Sequence, residues 1–410
     1  MKTTALFSMA AMSLMTAVSL ATPAAAQDEP ATAEHKGAPS RYILTDLGPV
    51  GPLPGQPFHI TDNGLISGSA AYNGKEQATL WYKRLKANIG IPGLGGKNSI
   101  AFGINQWAQA VGEADTSTPD PNGEDFCGFA FLGYPSGKTC LPFLWQGGVM
   151  TALPTLKDKN GKRGSNGGAN VINGSGEVAG LAENTTLDKT CPAYDPSLGQ
   201  SQKLQAKPVA WIHGQIHELA TLGGDPDGVA FAINESGEIA GTSGSCAPFS
   251  PYNFVYIQTV HAILWEKGKP IDLGSLGGAT GNVALGINNH GEVVGGSDVV
   301  GDTTTHGFLW TKETGKMQDL VPFHDDVVST ALAINDGGVV VGVSIDDKNN
   351  TRAVAWEHGV AVDLNSRIPH DSTLYLLLAC GINSRGEIIG VAADIKTNET
   401  HGYMLTPAAW

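Results

Sequence analysis

The chain has 410 residues, a formal net charge of −14, 54 glycines, five cysteines and only 16 % charged residues. An acidic surface of that size repels a phosphate backbone, so nucleic acid is set aside as a partner. High glycine with low charge points to short strands joined by tight turns, an all-β pattern.

Lys2, the apolar stretch 5–20 and the run Ala24, Ala25, Ala26 before Gln27 follow the order of a secretory signal peptide over residues 1–26. This predicts export, with the protein secreted or periplasmic. Residues 27–40 are polar and rich in Ala and Pro without apolar periodicity, and they read as a flexible lead-in. No later segment approaches the ~20 apolar residues of a spanning helix, so no membrane insertion is expected.

Residues 41–410 exceed the usual single core, which leaves two domains or one domain built from repeats. Repeats are present. The pattern I-N-x-x-G-x-[VI]-x-G starts at Ile172, Ile233, Ile287, Ile334 and Ile382, with degenerate copies at Ile60 and Ile104, where Ala108 replaces the turn glycine. Each copy is followed by a run ending at Trp81, Trp145, Trp211, Trp265, Trp310, Trp356 or Leu405, and then by a short segment such as DLGSLGG from Asp272. Four strand-length runs per repeat, seven times over, predict a seven-bladed β-propeller over 41–410. The last repeat lacks a fourth strand, whereas RYILTDLG from Arg41 has the sequence of one with no repeat before it. The N-terminal strand is therefore expected to pair with the last blade and close the ring.

The L-G-G, I-N-x-x-G-x-V-x-G and H-[AG]-F-L-W elements resemble those of the HAF-repeat family of bacterial extracellular proteins. The core of that resemblance is His261-Ala262-Ile263, His306-Gly307-Phe308 and His401-Gly402-Tyr403. It implies export and a propeller-like fold and carries no catalytic motif. Blades one to three depart from it, with Gln77, Leu141 and Lys207 standing where the His would be.

A residue recurring at one position in many repeats is read first as structural. The six strand-end tryptophans are expected to pack blade on blade, the three histidines to bond to backbone, and Glu177, Glu238, Glu292 and Glu387 after the turn glycine to be solvated. Trp107 and Trp410 fall outside the stripe. Function is sought instead in what departs from the repeat. Successive motif isoleucines are 44, 68, 61, 54, 47 and 48 residues apart, and the extra length falls at 113–140, 182–206 and 243–260. These are loops between second and third strands of blades two to four. They share one face with the loop from Thr155 into blade three, and loops on a rigid scaffold are where function concentrates.

Four cysteines lie in those insertions. Cys127 and Cys140 can clip a hairpin within blade two, and Cys191 can reach Cys246 in the next blade, with other pairings left open. Cys380, in LLLACGIN, reads as a buried free thiol. Phe249, Tyr252, Phe254 and Tyr256 are candidates for a ligand platform. His59, Arg163, His324, Asp326 and His370 are candidate acid/base residues around the channel mouth, joined by Lys162, Asp225, Asp227, Asp325, Arg367 and Asp371 as polar groups of the same loops. Asp158-Lys-Asn160-Gly and Asp225-Pro-Asp227-Gly read as turns before they read as calcium loops.

Two functions follow as expectations. The first is a non-enzymatic module binding an extracellular glycan, peptide or protein through the insertion loops of blades two to four. The alternative is a propeller enzyme, a polysaccharide lyase or hydrolase with the His/Asp/Arg set at the channel mouth. No cofactor or metal is expected, and the chain is expected to be a monomer.

Overall fold

The computed structural model describes residues 41–51, 55–124, 126–129, 136–191, 203–246 and 257–408. The expected signal peptide and lead-in lie outside them. The described residues form seven four-stranded antiparallel sheets, at 57–88, 95–152, 167–218, 227–272, 283–320, 328–363, and 374–407 with 42–49. First strands of successive sheets contact one another around the ring, including Pro57–Ile60 against Leu374–Ile382. The fold is a seven-bladed β-propeller. Its last blade is completed by Tyr42–Pro49 beside Glu399–Pro407, in a register running from Tyr42 opposite Pro407 to Pro49 opposite His401. The seam is sealed by a buried cluster that joins Leu47, Val50 and Ile389 to Ile66 and Trp81 of blade one.

The repeat motif is explained by what each residue bonds to. The motif asparagine accepts backbone N–H groups two and four residues on, as in Asn234 Oδ1 from Ser236 (3.1 Å) and Glu238 (2.9 Å), which sets the turn. Its amide donates to the carbonyl of the same position in the next blade: Asn105 to Asn173, Asn173 to Asn234, Asn234 to Asn288, Asn288 to Asn335, Asn335 to Asn383 and Asn383 to Thr61. Thr61 has no amide to give, and Asn63 donates to the Gln106 carbonyl instead. A belt of side-chain bonds thus runs around the ring at the turns between first and second strands. A second belt joins the adjacent residues, with the backbone N–H of Gly174, Glu235, Asn289 and Ser384 donating to the side chains of Glu235, Asn289, Asp336 and Asp62.

The motif's final glycine has a different cause. At Gly180 an added Cβ would lie 2.1 Å from the Gly168 carbonyl oxygen, because the first strand is bulged there and its backbone closes on the second. The tryptophans pack between blades as expected. Trp211, Trp265 and Trp356 are buried and donate to the carbonyls of Pro154, Ala220 and Val321, each just beyond the fourth strand of the preceding blade.

Two expectations are corrected. Glu177, Glu238, Glu292 and Glu387 are not simply solvated: each is half-buried and accepts a hydrogen bond from the motif asparagine four residues before it. The recurring histidines face carboxylates of the outermost strand rather than backbone: His306 Nδ1 to Asp319 at 3.0 Å, His401 Nδ1 to Asp46 at 2.9 Å and His261 Nδ1 to Asp272 at 3.4 Å. Blade six keeps the arrangement with an exchanged cation, since Arg352 approaches Asp363.

Candidate functional site

The loops between second and third strands leave the ring on the face opposite the asparagine belt. In blade two, the second strand Ala110–Pro119 leads to a turn in which Asp120 Oδ1 accepts the N–H groups of Asn122 (2.8 Å) and Glu124 (2.9 Å). The chain then passes Phe126 and Phe129 and returns to the third strand, Lys138–Gln146. Cys127 and Cys140 are disulfide-bonded across this loop, with Cα atoms 5.8 Å apart. Phe126 packs on the cluster of Ile100, Cys127, Phe129 and Cys140 in blade two. It also packs on that of Leu181, Ala206 and Val229 in blades three and four. Phe126 of the blade-two insertion thus lies across blades three and four.

Polar contacts fix the same junction. Glu124 Oε1 accepts the N–H groups of Lys203 and Leu204 at the return of the blade-three insertion, and Lys203 Nζ donates to the Asn122 carbonyl. Asn166, ahead of the first strand of blade three, donates to Asp120 Oδ2 (2.9 Å) and Glu183 Oε2 (3.1 Å) and accepts from Cys140 N–H (2.9 Å). Burial holds the Glu183 carboxyl well above its ordinary range, and the neighbouring Glu124 and Asp120 charges push it further the same way. Burial likewise raises Glu124, against the bonds from Lys203 and Asn122.

A covalent link joins blades three and four. Cys191 and Cys246 form a disulfide with Cα atoms 4.7 Å apart, and the Cys246 N–H donates to Thr190 Oγ1, itself held by Asp188. Both disulfides thus take the pairing that the sequence suggested. Two groups of three metal-ligating side chains come within 4.8 Å among the described residues, Glu113 with Cys127 and Cys140, and Asp188 with Cys191 and Cys246. In both, the sulfurs are already bonded to each other. Phe249, Tyr252, Phe254 and Tyr256 lie outside the described residues, between Cys246 and the third strand starting at Ile257.

The five acid/base candidates have separate surroundings. His59 sits on the first strand of blade one, its ring bonded to the Ile104 backbone of blade two, and burial lowers its pKa. Arg163 donates to the Thr155 carbonyl and closes its own hairpin, where Asp158 caps the turn by accepting from Asn160 and Lys162. Asp326 is paired with Arg352, Nε to Oδ2 at 3.0 Å, and its side chain is 4 % exposed. His324 is exposed at φ 49° with its ring edge on Phe323, and His370 is exposed in the turn before blade seven. No hydrogen bond or ion pair joins any two of the five among the described residues. Of the further loop groups, Asp225 accepts from Ser243 Oγ at 2.6 Å and Asp227 from the Ala206 N–H at 2.8 Å.

Sequence reasoning missed the buried carboxylates of this face. Glu76 is fully buried, and burial raises its pKa to about 7; burial raises that of Asp298 to about 6. Cys380 is a free thiol whose pKa burial pushes upward, as a buried thiol requires. No helix among the described residues is long and apolar enough to cross a membrane.

No protein-family model matches the chain, and the comparison with curated proteins finds no relative. Among solved structures, the chain is similar to a puromycin-hydrolyzing peptidase of Mycobacterium tuberculosis at 12 % identity and a TM-score of 0.48. That match covers 88 % of this chain and 53 % of the other, so this chain spans about half the peptidase's length. An oligogalacturonate lyase of Vibrio parahaemolyticus matches at 9 % identity and a TM-score of 0.46, covering 90 % of this chain and 98 % of that one. The β-propeller domain of the Trilobed protease from Pyrococcus furiosus matches at 8 % identity and a TM-score of 0.47, covering 88 % and 95 %.

Proposed function

We propose that the protein is an exported, non-enzymatic recognition module that binds an extracellular glycan, peptide or protein through the insertion loops of blades two to four. One observation carries this reading: three neighbouring insertions are cross-braced at their roots by the Cys191–Cys246 disulfide and by the contacts of Lys203 with Glu124 and Asn122. Bracing the roots lowers the conformational entropy lost when loops hold a partner. Disulfides also suit an oxidising compartment, in line with the signal-peptide pattern of residues 1–26. The acid/base candidates support the same choice, because Arg163 and Asp326 are engaged in local structure and the half-buried His59 bonds to the Ile104 backbone of blade two.

The test is a binding screen of the protein on arrayed glycans, peptides and extracellular protein extracts, with Tyr252→Ala/Phe254→Ala alongside. Binding by the parent that the double variant loses supports the insertion face as the site. Binding that the variant retains in full moves the site elsewhere.

A further inference from the structure

Among the described residues, one tryptophan is left over from the blade packing. Trp107 is 69 % exposed, whereas Trp81, Trp211, Trp265, Trp310 and Trp356 are buried. It stands in the turn between the first and second strands of blade two, on the asparagine-belt face. The other copies carry Asn63, Ser175, Ser236, His290, Gly337 and Arg385 at its position. The turn that carries it holds Ala108 at φ 59°, where the other copies have glycine.

The indole is fixed although it is exposed. Its Nε1–H donates to the Gly174 carbonyl of blade three at 3.0 Å, and the Trp107 backbone N–H donates to Asn105 Oδ1 at 3.1 Å. Gly174 leaves room for the side chains of Gln106 and Glu235. A Cβ there would lie 2.4 Å from Gln106 Nε2 and 2.7 Å from a Glu235 carboxylate oxygen, and no other copy has glycine at that position. Through its Nε1–H bond the indole bridges the seam between blades two and three.

The surroundings select a ligand chemistry. Asn63 donates to the carbonyl of Gln106, the residue before Trp107 (3.1 Å), and Gln109, two residues on in the same turn, donates to Gln146 Oε1 (3.1 Å), so the turn that carries the indole is joined to neutral amides. The charged group joined to the cluster is Glu235, an anion whose oxygens take the Gly174 N–H. The cations Lys312 and Arg385, at the same level in other blades, are taken by Glu238 and Glu266 and by Glu387. A rigid, open aromatic face among amides suits a pyranose ring, with its C–H face on the indole and its hydroxyls on the amides. The Glu235 carboxylate beside Gly174 disfavours an acidic sugar.

We propose that Trp107, with Asn63, Gln106, Gln109 and Gln146, forms a binding site for a neutral glycan on the face opposite the insertions. This site is independent of the insertion face. The experiment titrates the whole protein with neutral gluco-, xylo- and manno-oligosaccharides and with uronic-acid oligosaccharides, read by tryptophan emission and calorimetry. Trp107→Ala, Trp107→Phe and Gln146→Ala are measured alongside. The proposal expects a neutral oligosaccharide to blue-shift the emission of the parent and to bind Trp107→Ala about tenfold or more weakly. Trp107→Phe and Gln146→Ala should lie between. Equal binding by Trp107→Ala and the parent, or the absence of binding to any neutral oligosaccharide, would overturn it.

Discussion

Asn234 shows how much one repeated side chain can do. Its Oδ1 holds two N–H groups of its own turn, while its amide serves Glu238 at 2.7 Å and the Asn288 carbonyl at 3.1 Å. Replacing it with Ala leaves a buried carbonyl and a turn without partners, which costs about 2–3 kcal/mol. Urea unfolding should show that loss in Asn234→Ala, and a change near zero would contradict the belt. Glu76 is a second residue-scale case. Burial raises its pKa from 4.5 to about 7, so the folded state holds the proton more tightly than the unfolded chain. The stability this lends is complete below the ordinary glutamate range and is lost as pH rises through about 7, a difference of about 3 kcal/mol. The melting temperature should therefore fall between pH 5 and pH 8, with Asp298, raised to about 6, acting in the same direction. Glu76→Gln, which carries no proton to lose, should flatten that slope. The motif's presence is legible in the sequence, but its purpose is not. Asn234 bonds to a residue 54 positions away, and His306 to a carboxylate across a hairpin, so neither partner adjoins the motif.

At the scale of the element, strands and turns are readable because every blade must satisfy the same packing on both sides, which enforces the same apolar alternation seven times. The insertions carry no such constraint. Their cysteines are legible, because neighbouring blades bring equivalent loops side by side. The buried network of Asp120, Glu124, Asn166 and Glu183 is not, since it depends on how a non-repeating loop folds over its neighbours. The Cys191–Cys246 bond spans 55 residues and ties the blade-three insertion to blade four. Its removal in Cys191→Ser/Cys246→Ser should lower stability by about 3–4 kcal/mol. Limited proteolysis should then cut within 192–202 or 247–256 faster than in the parent. Unchanged cleavage would mean that the disulfide is not what braces the face.

For the whole molecule, closure and one-sidedness are the properties that matter. The N-terminal strand completes the last blade, and Asn383 bonds to Thr61 across 322 residues, so the belt runs through the seam. The split of the last repeat between the two ends of the folded region makes this closure readable in the amino-acid sequence. A ring held this way presents two different faces: turns locked into belts on one side, and braced insertions on the other. Arg163, His324, Asp326 and His370 stand out in the sequence because their loops share the insertion side of the ring, whereas His59 lies near the end of the first strand of blade one, beside the Ile104 backbone next to the asparagine belt. Side of the ring is a coarse guide, and chemistry requires contact at hydrogen-bond distance.

The most direct test of this account is turnover. The protein is incubated with a panel of extracellular polysaccharides and peptides, and products are measured by reducing-end, unsaturated-uronate and free-amine assays, with His324→Ala/His370→Ala in parallel. A recognition module predicts binding without product, and the same binding in the double variant. Product formed by the parent and lost in the double variant would contradict it and make this propeller an enzyme.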